Sequence, residues 1–547
     1  MSRSLPFRGA SVLLLPLGLT IAFDACGSAP APATSPAWLQ PKQTPVIAPR
    51  LQRSLDAQAP TATLRVWVYF TDKDLQDETR VDTALDEAEA ALTPRCAWRR
   101  AKTMTGRHAS FEDLAVSPLY VQRLSALGGR VRQVSRWLNA ASVEVAAERV
   151  PEIAALDFVR AVAPVAAFRR RPIETPQLRA ESLAPTTSGE LDYGDSFTQL
   201  QQINVPAAQR LGFIGQGVIV CMLDTGYRKD HVAFQSAYNE HRVLAEWDFV
   251  NTDGDTQDGP GDPPGQESHG TMTWSTLGGE APGQLFGPAY GASFLLAKTE
   301  DTASEQPIEE DNWVAGLEWA DAHGADIVSS SLGYIDWYTY ADLDGQTATT
   351  TRAADTAAAR GILVVTAAGN EGPGAGSLMA PADARNIIAC GAVDAGGTIA
   401  GFSSRGPTFD GRVKPELCAC GVGTRCASSS ASDAFGYASG TSLSTPLVAG
   451  AAAVVLSAHP DWAPLQLRQA LLNSGSRSHT ADNTYGWGLP DALLALLSDC
   501  RSPSPEIVIC TGVPSAARLL GLLGAPPLGL AASPMGHAYP RAPAPLS

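Results

Sequence analysis

Four residue types in this chain could together perform acyl transfer. Asp224 closes the apolar run at 217–223, His269 lies in Ser268-His269-Gly270-Thr271, Asn370 in Ala367-Ala368-Gly369-Asn370, and Ser442 in Gly440-Thr441-Ser442. A serine hydroxyl is a weak nucleophile. It needs an imidazole to take its proton, a carboxylate to hold that imidazole, and hydrogen-bond donors for the oxyanion that attack on a carbonyl creates. Singly, each residue has an ordinary structural reading: Ser and Thr ahead of an apolar run cap helices, and Asp or Asn ends strands and shapes turns. Their order, with each inside a glycine-flanked motif, is what points to chemistry.

Positioning such a set requires particular elements. Ser442 precedes the apolar run at 447–456 and is expected at the N-terminus of a buried helix, where negative charge is favoured; Gly440 lets backbone approach a ligand, and Pro446 suits a first helical turn. Continuous apolar runs recur at 217–223, 293–297, 325–329, 361–367 and 386–393, as expected of parallel strands buried on both faces. Helix-like stretches at 313–323 and 349–360 alternate with them. The pattern predicts an α/β fold with a doubly wound, mostly parallel sheet, whose ligands bind beyond the carboxyl ends of the strands. Asp224, 329–333 and 367–370 all fall at such ends. Upstream, a strand at 64–70, helices at 81–92 and 117–127, strands at 131–134 and 141–145, a short helix at 150–156 and a strand at 159–164 describe a small α+β domain.

At 547 residues the chain exceeds one ordinary core. A formal charge of −16 argues against a nucleic-acid partner. Residues 1–25, with Arg3 and Arg8 ahead of the apolar stretch 12–23, read as an export signal too short to span a bilayer. Ala25-Cys26-Gly27 leaves two destinations open, release or a lipid anchor on Cys26. Residues 26–63 read as a disordered tether, 167–190 as a basic, proline-rich processing linker carrying Arg169, Arg170 and Arg171, and 500–547 as a low-complexity tail. No segment reads as transmembrane. Of nine cysteines, Cys221 and Cys390 are expected to be buried thiols, while Cys418, Cys420 and Cys426 in one loop, and Cys500 with Cys510, are disulfide candidates. Asp253, Asp255 and Asp258 form an acidic loop that reads either as a calcium site without the EF-hand pattern or as a solvated turn.

With these residues in hand, the chain resembles the subtilisin family of serine proteases, the subtilases. Asp224 matches the family's orienting aspartate, His269 its general base, Ser442 its nucleophile and Asn370 its side-chain oxyanion donor. Ser330-Ser331-Leu332-Gly333 resembles the strand lining the substrate channel, which with Ala368 and Gly369 gives Ser331, Leu332, Gly333, Ala368 and Gly369 as substrate-binding residues. Phe402 to Pro407, Lys414-Pro415-Glu416 and the closing Tyr485-Gly486-Trp487-Gly488 extend the likeness over a catalytic domain at 191–499. Residues 64–166, through Arg136 to Val145 and on to Val165, are similar to the end of a subtilisin propeptide, which in the family assists folding and inhibits until cleaved. The resemblance implies a secreted serine endopeptidase made as a self-processed zymogen, with polypeptide substrates and its own propeptide as partners. It implies a monomer, chemistry without a cofactor, and room for structural calcium. Two features depart from the family: Met272-Thr273-Trp274 follows the histidine motif, and Cys420 stands where proline is common. Lys298 to Asp301, with Glu309 to Trp313, resembles a branch of secreted bacterial subtilases.

Overall fold

A computed structural model of the chain describes residues 39–166, 191–302, 310–334, 338–504 and 507–511. The expected signal at 1–25, the linker at 167–190 and most of the tail lie outside the described residues. The N-terminal domain is a four-stranded antiparallel sheet of β1 (Thr63–Phe70), β2 (Arg130–Ser135), β3 (Ala140–Ala146) and β4 (Val159–Pro164), in the order β2-β3-β1-β4. The second domain is built on β5 (Ile219–Asp224) and β6 (Val243–Asp248). A two-residue hairpin, β7 (Glu280–Ala281) with β8 (Leu285–Phe286), then leads to β9 (Ser293–Lys298), β10 (Ile327–Ser330), β11 (Leu363–Ala367), β12 (Ile388–Val393) and β13 (Leu417–Cys420). Seven of these form one parallel sheet, β13-β12-β11-β10-β5-β9-β6. From β5 the chain winds to one side and then back across to β10, so the strand order reverses between β5 and β10. That is where an open α/β sheet makes a crevice.

Alternation along the strands explains the layering. In β5, Val220 and Met222 enter one core while Ile219, Cys221 and Leu223 enter another. The first core lies against the helix Thr441–Ala458 and the helix Ser268–Gly278; the second lies under the helices Glu310–Ala322 and Thr349–Ala359. Helices on both faces are what such strands require. The helix Thr441–Ala458 is 18 residues long and apolar enough to cross a membrane, yet residues 441–456 are buried inside the fold. It is a core helix.

The N-terminal domain docks on the helix Glu310–Ala322, whose acidic residues serve as acceptors. Glu310 takes hydrogen bonds from Trp67 Nε1 (3.0 Å) and Ala166 N–H (3.1 Å), and Asp311 from Arg132 Nε (2.8 Å) and Ser142 Oγ (2.6 Å). Glu318 accepts from Ser135 Oγ (2.5 Å) and Trp137 N–H (3.2 Å). Burial pushes the Glu310 and Glu318 carboxyls above the usual range despite these donors. Asp321 pairs with both Arg99 and Arg100, which arrive on the helix Pro94–Arg100.

Three expectations are corrected here. Residues 39–63 are not a disordered tether: the helix Pro49–Ala57 buries Leu51 against the N-terminal sheet, with Val46, Ile47 and Leu55 beside it, and Ile47 bridges Val162. Cys418, Cys420 and Cys426 are free buried thiols. Cys418 and Cys420 stand two apart on β13, where side chains point the same way and do not meet. The start of the tail is paired, β16 (Asp499–Ser504) with β17 (Ile507–Thr511), after the hairpin β14 (Thr424–Ala427) with β15 (Phe435–Ala438). Cys500 is disulfide-bonded and faces Cys510 in that register.

Candidate active site

Asp224, the last residue of β5, is buried at the crevice, and both of its carboxylate oxygens are engaged. Oδ1 accepts from His269 Nδ1 (2.5 Å) and Thr225 N–H (2.8 Å); Oδ2 accepts from Thr273 Oγ1 (2.9 Å). His269 is the second residue of the helix Ser268–Gly278, so Thr273, four residues on, lies on the same face. The helix can approach β5 this closely because residue 270 is glycine, whose Cβ would fall 2.1 Å from the Gly226 carbonyl oxygen.

Ser442 is the second residue of the helix Thr441–Ala458, after Gly440 at its N-cap. Its hydroxyl donates to the Ser331 carbonyl (3.2 Å), and the Ser331 hydroxyl donates back to the Ser442 carbonyl (2.8 Å). Pro446 is the sixth helical residue, not part of the first turn as expected. Lacking an N–H, it makes no hydrogen bond to the Ser442 carbonyl one turn earlier, and Ser331 supplies that donor instead.

Asn370 follows β11. Its Oδ1 accepts from both the Thr441 N–H (2.9 Å) and the Thr441 hydroxyl (3.0 Å), which fixes the amide plane and leaves Nδ2 as the end free to donate toward the crevice. Ser331, Leu332 and Gly333 run on from β10, and Ala368 and Gly369 from β11, on neighbouring strands. All the residues singled out as catalytic or substrate-binding are thus carried by β5, β10, β11 and the two helix N-termini.

The three acidic loop residues do not converge. Asp255 pairs with Lys229 (2.8 Å), Asp258 accepts the Glu267 N–H (2.6 Å) and Asp253 accepts the Asp255 N–H (2.9 Å). The loop's charge is met by the buried ammonium of Lys298, 2.9 Å from Asp248 and 2.8 Å from Asp262. Among the described residues, no group of three or more His, Cys, Asp or Glu side chains is arranged to hold a metal ion.

The site has relatives. Residues 215–488 match the model of the Subtilase family, and residues 65–180 match the Peptidase S8 propeptide domain of Bacteroidota. The chain belongs to the subtilase family. It is 32% identical over 295 residues to Subtilisin Savinase of Lederbergia lenta, covering 54% of this chain and 96% of that protein. To Subtilisin E of Bacillus subtilis it is 30% identical over 354 residues, covering 64% and 78% respectively. Its fold is shared with fervidolysin of Fervidobacterium pennivorans, a keratinolytic enzyme related to subtilisin, at a TM-score of 0.55 and 21% identity. That match covers 80% of this chain and 61% of fervidolysin's. This subtilase is a serine endopeptidase with a propeptide domain, and the docked N-terminal sheet, apart from Thr63 and Leu64, lies within the propeptide match.

Sequence reasoning missed Thr273, which it set aside as a departure from the family. The signal was present: a hydroxyl four residues after the histidine of a predicted helix. It also missed Thr441 as the anchor of Asn370.

Proposed function

We propose that this subtilase is an exported endopeptidase that hydrolyses polypeptides through an acyl-enzyme on Ser442. The observation that carries the reading is the fully bonded Asp224 carboxylate holding His269 Nδ1 at 2.5 Å in a buried crevice. A proton on Nδ1 leaves Nε2 as the base. The Ser442 hydroxyl leaves the Ser331 carbonyl, gives its proton to His269 and attacks the substrate carbonyl. His269 then delivers that proton to the leaving amine, and water repeats the sequence to release the acid. Asn370 Nδ2 and the Ser442 N–H meet the oxyanion, with the positive end of the helix Thr441–Ala458 behind them. The chemistry calls for no cofactor. The substrate backbone adds as a strand along residues 331–333. Arg3, Arg8 and the apolar stretch 12–23 support export, and self-cleavage within 167–190 separates the propeptide.

Labelling with a fluorophosphonate tests the assignment. Wild-type mature protein should be labelled and Ser442→Ala should not. Labelling that ignores this substitution, or none at all, removes the mechanism and leaves a peptide-binding module. Export of Ser442→Ala at full length, beside wild type at mature size, tests self-cleavage.

A further inference from the structure

We infer that Lys298 is a positioning residue for the pair Asp224 and His269, its ammonium serving as a built-in cation that locks the acidic loop 249–267 against the back of that pair. The inference rests on His269 being the base. In the sheet register Lys298 stands opposite Asp224 of β5 on one side and Asp248 of β6 on the other. Its side chain is fully buried; the ammonium lies 2.9 Å from Asp248 and donates to both carboxylate oxygens of Asp262 (2.8 Å each). Burial disfavours its charge, yet hydrogen bonds to Asp262 and Asp248 hold its pKa above the ordinary lysine value.

Those two carboxylates shape the loop. Asp248 accepts the N–H groups of Val250 (2.7 Å) and Asn251 (2.9 Å), and Asp262 accepts the Gly259 N–H (2.8 Å) and Asn251 Nδ2 (2.9 Å). Further along, Asp258 and Glu267 are tied in both directions: Asp258 takes the Glu267 N–H (2.6 Å), and Glu267 takes the Asp258 N–H (3.1 Å). Glu267 is the N-cap of the helix Ser268–Gly278, two residues before His269. The loop also returns to the Asp224 segment. Its Thr256 carbonyl accepts the Tyr227 N–H (2.9 Å). A Cβ on Gly226, two residues after Asp224, would lie 2.7 Å from that carbonyl oxygen, 3.4 Å from Glu267 Cα and 3.5 Å from Lys298 Cδ. The lysine stem, the loop, the helix start and the exit of β5 therefore meet at one point behind the hydrogen bond from His269 to Asp224. Without the ammonium, Asp248 and Asp262 are like charges buried side by side, and removing one partner of a buried ion pair is strongly destabilising. Lys229, at the loop's surface, is already engaged by Asp255 (2.8 Å) and Glu246 (3.2 Å).

The test follows kcat and KM of the mature enzyme on a peptide p-nitroanilide, with active sites counted by fluorophosphonate labelling of Ser442 to completion. Lys298→Met keeps the apolar stem and removes the charge. Its kcat per labelled site should fall about tenfold or more while KM stays within about threefold. Lys298→Ala should fall as far and recover by about threefold or more in millimolar propylammonium, the missing part of the side chain. Lys298→Met, whose stem fills the space, should not respond. The same contrast should appear in the unfolding midpoint of full-length Ser442→Ala carrying each substitution, which covers variants that do not mature. A kcat of Lys298→Met within about threefold of wild type, a midpoint of Lys298→Ala indifferent to propylammonium, or a response shared equally by wild type and both variants overturns the inference. An unlabelled wild type instead overturns the hydrolase reading on which it rests.

Discussion

Ser331 and Ser442 hold each other by two hydrogen bonds, the hydroxyl of each donating to the carbonyl of the other, at 3.2 and 2.8 Å. Pro446 creates the need for the second bond, since a helix residue with an N–H at that position could bond to the Ser442 carbonyl. The strand segment 331–333 and the turn carrying Ser442 are thereby one mechanical unit.

Ser331→Ala should therefore leave a buried carbonyl without its donor, at a cost of about 1–3 kcal/mol, read as a lowered unfolding midpoint. The double variant Ser331→Ala/Pro446→Ala restores an N–H four residues after Ser442. It should recover a good part of that loss. If the two substitutions simply add, the carbonyl is not what links them.

Asn370→Leu removes the donating amide but keeps the size of the side chain. Its kcat should fall by about 10²–10³ with KM little changed, the cost of a side-chain oxyanion donor in this same family. Thr441→Val loses only one of the two bonds holding Asn370 Oδ1, because the Thr441 N–H remains, and should cost less than Asn370→Leu. A kcat for Asn370→Leu within threefold of wild type removes the assignment.

Thr273→Val withdraws the donor from Asp224 Oδ2 in the helix that carries His269. A loss of about 1.4 kcal/mol in the transition state corresponds to about tenfold in kcat. Thr273→Ser, which keeps the hydroxyl, should retain activity. Equal losses in both variants would point to packing rather than to the hydrogen bond.

The constellation proposed as catalytic was legible because each member sits in a short local pattern: Asp224 at the end of an apolar run, Asn370 and Ser442 beside glycines, His269 between serine and glycine. The parallel sheet was legible for a similar reason, since strands buried on both faces are written as unbroken apolar runs. What escaped has no local period. The helix Pro49–Ala57 rests on only Leu51 and Leu55, set among polar residues. The helix Pro94–Arg100 buries Arg99 and Arg100, whose acceptor Asp321 lies 222 and 221 residues further along the chain. A buried guanidinium looks like a solvated one until its carboxylate is found.

That ion cluster should anchor the propeptide domain. Arg99 and Asp321 are fully buried, and Arg100 also pairs with Asp113. The Asp113 carboxyl, which burial alone would raise, is held well below the usual range by Arg360 across the interface and by Arg100. Asp321→Ala leaves the Arg99 guanidinium without its carboxylate, while Arg100 keeps Asp113. In the full-length Ser442→Ala protein it should cost about 3–5 kcal/mol, measured by denaturant unfolding. In the mature domain, where the two arginines are gone, the cost should be much smaller. Equal costs in both forms would show that Asp321 serves the catalytic domain alone.

Alkaline pH should tighten the propeptide fold. Lys73 is buried, with its ammonium donating to the carbonyls of Leu114 and Arg136 (2.9 Å for the latter), and burial lowers its pKa to about 7. Lys102 is lowered by burial to about 8. In the unfolded chain both lysines hold their protons up to about pH 10.4, so between roughly pH 7 and 10 the unfolded state binds more protons than the folded one. Their contribution to stability then rises with pH across that window. The carboxyls of Glu310 and Glu318 act in the opposite sense, their raised pKa values weakening the docked form as pH climbs from about 4.3, the ordinary glutamate value. Above about pH 8.5, the ordinary thiol value, the buried thiols of Cys221, Cys390, Cys418, Cys420 and Cys426, all raised by burial, oppose the lysines. The unfolding midpoint of full-length Ser442→Ala should accordingly rise from pH 7 to about pH 8.5, and Lys73→Met, which removes the titrating group and keeps the apolar stem, should reduce the slope. A midpoint that falls over this range, or a slope indifferent to Lys73→Met, would mean that the ammonium stays charged on its two carbonyl acceptors throughout.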